Sequence, residues 1–156
     1  MTIDLNSIAS PADHLEVMDA LYRFGAGVDH NDPALIASAF GEDIVVDFGP
    51  CGRKMGLEFP VLTGHETVVG FLSANAGAQT TSHVITNGRV HVEGNVARLR
   101  ALVNATHLPR DDHSRRCQMM NWYEVELVRD GRLWRMRRLV IDSAWFTGDT
   151  QVLLGK

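Results

Sequence analysis

The chain has 156 residues, 45 % of them hydrophobic, and a formal net charge of −4, which fits a single domain, residues 1–156, with a core of its own. Its basic residues form no cluster interleaved with aromatics, so no nucleic-acid partner is expected, and no window reaches the roughly 18 apolar residues of a membrane helix. The two cysteines, Cys51 and Cys117, are too few for a disulfide scaffold and lack zinc-site spacing, so the expected setting is a reducing cytoplasm.

The opening stretch, MTIDLNSIASPAD, has neither a basic start nor an apolar run, and no leader is expected. Ser10 before Pro11 reads as an N-cap, with Asp13 in the first turn where the helix dipole favours an acid; this predicts a first helix from about Pro11 to Asp29. Asp32-Pro33 repeats the signal and opens a short second helix. Ile44 to Phe48 is a β-branched run suited to a strand. Residues 49 to 62 hold Gly49, Gly52, Gly56, Pro50 and Pro60 and read as a long irregular loop, a pocket wall or lid. Thr63-Gly64-His65-Glu66 matches a capping box, predicting a third helix to about Ala74. From Thr80 the hydrophobic period changes from near 3.6 to near 2, giving four long strands over 81–92, 96–108, 116–129 and 133–145. Two of the three turns between them are short and carry glycine, which favours antiparallel hairpins. Helices followed by such a meander make an α+β fold.

Counting back from Asp29 by threes and fours gives Gly25, Tyr22, Met18 and Leu15, which places a carboxylate on the apolar face of the first helix. A buried carboxylate needs a partner, and His83, in TTSHVITNGRV, is the one proposed; the alternative is a structural histidine. A histidine held by a carboxylate is fixed in one tautomer and is the better base for it. Tyr22, two turns before Asp29, is either a substrate hydrogen-bond donor or core. Asn104 and His107 have opposite parity on one strand, so at most one of them faces inward. In the last strand Trp134, Met136, Arg138, Val140 and Asp142 share one parity, which puts Arg138 inside or at the mouth of a cavity, facing a substrate anion or an acid such as Asp142 or Glu124. Trp145, Phe146, Met119 and Phe59 are candidate wall residues. The other histidines form no metal-ligand pattern and the glycines no phosphate-binding motif, so neither a metal nor an organic cofactor is expected.

A first helix ending in Val28-Asp29, the strand Asp43-Ile44-Val45-Val46-Asp47-Phe48, the GHETVVGFL helix, Ser82-His83 before a strand and a closing RDGRLWRMRRLV hairpin together resemble the SnoaL-like branch of the NTF2-like superfamily. The resemblance implies a cone in which three N-terminal helices pack into a strongly curved antiparallel or mixed sheet. Within the superfamily the chain is most similar to the scytalone dehydratase and hexachlorocyclohexane dehydrochlorinase group, whose Asp and His motif positions Asp29 and His83 match. The tyrosine that scytalone dehydratase carries beside its Asp is Val28 here, and the dehydrochlorinase's sheet arginine falls at or next to Leu139, which points to a different substrate. The implied activity is a cofactor-independent lyase acting on a hydrophobic cyclic or aromatic molecule; read from their own positions in the chain, Tyr22, Asn104, His107, Arg138 and Trp145 are the candidate substrate contacts. The same dyad would serve an isomerase, a polyketide cyclase or a retro-aldol lyase. A ligand binder or the small subunit of a ring-hydroxylating dioxygenase is the non-catalytic alternative. The fold also implies a homo-oligomer, dimer or trimer.

Overall fold

The computed structural model describes residues 9–156, so the first eight residues of the stretch read as lacking a leader lie outside the described ones. Helix α1 spans Pro11–Asp29, with the Ser10 hydroxyl accepting the Asp13 backbone N–H at 3.1 Å. Helix α2, Pro33–Ser38, starts in the same way, with Asp32 accepting from Leu35 N–H at 3.0 Å. Strand β1 follows over Phe40–Asp47.

The segment expected to be irregular contains a helix. α3 covers Gly49–Lys54, with Pro50 in its first turn and Gly49 N–H donating to Asp47 Oδ1 at 2.7 Å. Proline at a helix start loses no hydrogen bond, so the residue that reads as a breaker here initiates. The capping box does not form, because Thr63 is paired opposite Val45 in a two-residue strand, β2, Leu62–Thr63. Gly64, at φ +93°, supplies the turn into α4, His65–Ala78, without a side-chain cap.

The rest is β3 (Gln79–Glu93), β4 (Val96–Pro109), β5 (Cys117–Asp130) and β6 (Leu133–Gly148), closed by a 3-10 helix, Thr150–Leu154. The six strands form one sheet in the order β2-β1-β6-β5-β4-β3, antiparallel throughout except for the parallel pair β1 and β6. The helices cover one face, toward which Leu99, Ala101, Val103 and Ala105 of β4 and Met119, Tyr123, Val125 and Leu127 of β5 turn to form the core.

The buried stripe of α1 runs through Val17, Leu21, Phe24 and Val28, with Met18 and Gly25 beside it. The expected stripe through Leu15 and Tyr22 follows its edge instead: Tyr22 is 44 % exposed. Asp29 therefore closes α1 at the margin of the buried face, and two glycines bring that end close to its neighbours. A Cβ on Gly25 would stand 3.1 Å from Ile85 Cδ1 and 3.4 Å from His83 Cβ, so α1 lies directly on β3. A Cβ on Gly27 would stand 2.7 Å from the backbone nitrogen of Ile36 in α2.

The two-residue period breaks twice in β6. Leu127 faces Met136 while Glu126 faces Arg138, and Asn121 faces Ser143 while Met120 faces Trp145, leaving Arg137 and Ala144 as extra residues. Each bulge reverses the parity of the strand residues beyond it. The buried set passes from Trp134 and Met136 to Leu139, Ile141 and Ser143, and Arg138 turns to the opposite face.

Candidate active site

Between the helices and the sheet lies a cavity of about 110 Å³. Its apolar end carries Phe48 within 6.2 Å of Phe59 and 6.0 Å of Phe71, ring centre to ring centre. Its polar groups come mainly from the sheet, Gln79, Thr81 and His83 on β3, His107 on β4, and Asn121 and Tyr123 on β5, with Asn75 of α4, whose Nδ2 donates to the Phe71 carbonyl at 2.8 Å. No lysine, arginine, aspartate or glutamate is among the described residues lining it.

The end of α1 meets β3 through Asp29. One carboxylate oxygen, Oδ2, accepts the backbone N–H of His83 at 2.8 Å. The other, Oδ1, accepts the Thr81 hydroxyl at 2.9 Å and lies 2.6 Å from His83 Nδ1. Burial raises the Asp29 pKa, but hydrogen bonding and charge attraction from His83, its backbone N–H and the Thr81 hydroxyl outweigh this and hold it below the ordinary 3.8. An ionised carboxylate can only accept, so Nδ1 carries a proton, and whenever the ring is neutral its lone pair is on Nε2. Phe24 packs edge-on against the His83 ring, centres 5.7 Å apart, and fixes its plane. The result is an oriented base at the cavity wall.

His107 is held in the same sense by different chemistry. Its Nδ1 is 2.7 Å from Gln79 Oε1, and Gln79 Nε2 donates to the Val152 carbonyl in the 3-10 helix at 3.0 Å. A backbone carbonyl only accepts, so the amide nitrogen must face Val152 and its oxygen must face His107. Nδ1 of His107 is therefore the donor and Nε2 is bare. Burial, then the nearby charge of His83, push the His107 pKa down to about 3 against a weaker upward pull from Asp29. The ring is neutral at physiological pH and lies 5.7 Å from that of His83.

Asn121, 3 % exposed, has only sulfur contacts at 3.8 Å to Cys51 and 3.9 Å to Met119, so its amide is available to a ligand. Burial, with smaller effects from nearby Asp142 and Cys117, pushes the Cys51 thiol up to about 12; burial also takes Cys117 to about 11, so neither is a thiolate nucleophile.

Of the residues named from sequence, Asp29 and His83 meet at the cavity and His107 lines it. The others lie elsewhere. Tyr22 is on the exposed edge of α1. Asn104 sits between inward Val103 and Ala105 and accepts from Gln118 at 3.2 Å on the outer face. Arg138, reversed by the bulge at Arg137, lines a shallow outer depression with Arg98, Glu124 and Glu126. Trp145, beyond the bulge at Ala144, is 47 % exposed opposite Met120. Met119 and Phe59 do line the cavity, whereas Phe146 does not. Sequence reasoning missed Asn75, Gln79, Thr81, Asn121 and Tyr123. Thr81 shares the parity of His83, and Asn121 interrupts an alternating apolar run, so both were visible as patterns.

Residues 10–140 match the family model of the SnoaL-like domain. No protein with a curated description matches the sequence. Among solved structures, the chain is similar to a protein named as an aromatic ring hydroxylase from Novosphingobium aromaticivorans DSM, with 23 % identity, 93 % of this chain and 99 % of that one covered, and a TM-score of 0.80. A protein named as a scytalone dehydratase from Novosphingobium aromaticivorans DSM 12444 shares 20 % identity over 88 % of each chain, with a TM-score of 0.75. The hexachlorocyclohexane dehydrochlorinase LinA-type3 from Novosphingobium barchaimii LL02 shares 17 % identity over 89 % of this chain and 91 % of that one, with a TM-score of 0.71. At these identities the likeness speaks for the NTF2-like fold, which the chain shares with dehydratases, dehydrochlorinases and hydroxylase-named proteins.

Proposed function

The chain belongs to the SnoaL-like domain family, and from that premise we propose that it is a cofactor-independent lyase of the dehydratase or elimination type. The single observation that carries this reading is the Asp29–His83 pair, 2.6 Å apart at the wall of an apolar cavity. The substrate is a hydrophobic, cyclic or aromatic molecule, and it is uncharged, because the lining offers no ionic partner and an unpaired charge there is costly.

His83 Nε2 takes a proton from a carbon next to an activating group. The C–H electron pair becomes the new double bond, the leaving group departs with its own bonding pair, and the imidazolium returns the proton to a leaving oxygen, so that water is lost. Asp29 holds the ring and stabilises the imidazolium. The bare Nε2 of His107 accepts a hydrogen bond from a substrate hydroxyl, and the Asn121 amide supplies a second polar contact. Replacing His83 by Gln should leave the fold intact and lower turnover about 10²- to 10⁴-fold on cyclic β-hydroxy ketones; full activity in that variant would end the reading. Isomerisation, polyketide cyclisation and retro-aldol cleavage begin with the same proton transfer, and product analysis on such substrates separates them.

The neighbour named as an aromatic ring hydroxylase supports a second reading, a non-catalytic binder or small subunit. It requires a large iron–sulfur partner that copurifies with the chain, and an active chain isolated alone contradicts it. The chain assembles as a homo-oligomer, dimer or trimer, through the outer sheet face, where Val84 and Trp145 are exposed; a clean monomer by light scattering refutes this. Two buried free cysteines suit a reducing cytoplasm. Among the described residues no helix is long and apolar enough to cross a membrane.

A further inference from the structure

Tyr123 differs from the polar groups that β3 and β4 bring to the cavity. The Thr81 hydroxyl, Nδ1 of His83, the Gln79 amide and Nδ1 of His107 each have an internal partner. Tyr123 is 2 % exposed and lines the cavity, yet its hydroxyl has no hydrogen-bond partner among the described residues. The hydroxyl is not sealed inside the protein but opens onto the cavity, where a ligand can meet it. The ring is held in place, packed against Phe24, centres 6.2 Å apart, in the middle of the sheet opposite Ala101 and Ile141.

The surroundings say what the hydroxyl is for. Phe24 touches both the Tyr123 ring and the His83 ring, so base and hydroxyl flank one aromatic side chain. On β4, the strand between β3 and β5, the inward residues at their two levels are Ala105, opposite His83, and Ala101, opposite Tyr123. Small side chains there leave room over the sheet between the two groups. Burial, then the proximity of Cys51 and Asp29, raise the Tyr123 pKa well above the ordinary 10, so the hydroxyl keeps its proton and serves as a donor.

We propose that Tyr123 is the electrophilic group of this site, donating its O–H to the carbonyl oxygen of an enolisable cyclic ketone whose α-proton His83 removes. This rests on the lyase reading and narrows its activating group to a ketone. As the α-proton moves to His83 Nε2, the C–H pair forms the carbon–carbon double bond of an enolate and the carbonyl π pair moves onto oxygen. That oxygen is then the stronger acceptor, so the Tyr123 hydrogen bond strengthens in the transition state and the barrier falls. Collapse of the enolate restores the carbonyl and expels the β-hydroxyl, which takes the proton back from His83 as water. Tyr123 keeps its own proton throughout.

The probe is cyclohexanone labelled with carbon-13 at its carbonyl, followed by isotope-edited infrared spectroscopy and by exchange of its α-protons in D2O. The proposal expects a lowered carbonyl stretch in the wild-type protein, restored toward the free value in Tyr123→Phe and still lowered in His83→Gln. Exchange should fall about 10²- to 10³-fold in Tyr123→Phe, the usual loss for one such donor. Because that hydroxyl has no partner to lose, Tyr123→Phe should melt no lower than wild type. A stretch equal in wild type and Tyr123→Phe, a destabilised Tyr123→Phe, or no uptake of the ketone each overturns the proposal. A lowered stretch without any exchange in the wild type would instead retain the donor and overturn the base, so the two readings fail separately.

Discussion

Two histidines share the cavity wall, their rings 5.7 Å apart, and neighbouring residues at the start of β3 fasten them differently. At Thr81–His83 the fastener is a carboxylate brought by α1; at Gln79 it is an amide braced by the C-terminal 3-10 helix. Both lock Nδ1 as a donor, so geometry alone would make the rings equivalent. Charge separates them. The imidazolium of His83 has an ionised partner at 2.6 Å, whereas protonating His107 would place a second cation beside His83 in a buried position with only a neutral amide for company. One ring is suited to take a proton during turnover, and the other to accept a hydrogen bond and stay neutral.

The largest expected effect breaks that division directly. His83→Ala should remove about 10²- to 10⁴-fold of turnover, while His107→Phe, which forfeits one hydrogen bond of about 1 kcal/mol, should cost about fivefold; steady-state rates on one substrate compare them, and equal losses would erase the distinction. The next effect is on stability. Gly27→Ala sets a Cβ 2.7 Å from the Ile36 backbone nitrogen and must displace α2 from the end of α1. A loss of about 1–3 kcal/mol is expected in urea unfolding, together with a loosened Asp29.

Acid titration sharpens the comparison further. The unfolded chain protonates His107 below its ordinary 6.5, but the folded chain does so only near 3. Between those values the unfolded state binds more protons, so stability falls as pH falls. The Asp29 contribution, from a depressed carboxylate, is complete above 3.8 and is lost only as pH drops below it. His107→Phe should therefore flatten the stability profile between about pH 6.5 and 4, and denaturant midpoints across the range check it. The smallest effect belongs to Arg138→Ala, outside the cavity, which should change melting by no more than about 0.5 kcal/mol and turnover not at all.

Arg138 also shows where sequence reading stops. Helix starts at Ser10-Pro11 and Asp32-Pro33 are local chemistry, and the structure places them as written. The long strands likewise announce themselves through alternation. A bulge does not: nothing in Arg135-Arg137-Arg138 marks Arg137 as the extra residue, since that depends on how β5 and β6 match in length and twist. One unseen residue sends Arg138 to the wrong face, and a second, at Ala144, ends the buried set at Ser143, so that Trp145 stays outside. Tyr22 fails for a related reason, because counting back from Asp29 follows the margin of the α1 stripe instead of its centre at Leu21 and Phe24. Asp29 with His83 was legible because a carboxylate near a buried face demands a partner. Gln79 was not, because its role depends on a carbonyl 73 residues away in sequence.

The central claim is that Asp29 sets the tautomer of His83, and nitrogen-15 shifts of the imidazole in wild type and Asp29→Asn test it most directly. In the variant the side-chain oxygen must stay on the His83 backbone N–H, which only donates, so the amide nitrogen turns to His83 Nδ1 and forces that atom to accept. The account predicts Nδ1–H in neutral wild-type His83 and Nε2–H in Asp29→Asn, with turnover lost alongside the bare Nε2. The same tautomer in both proteins would contradict it.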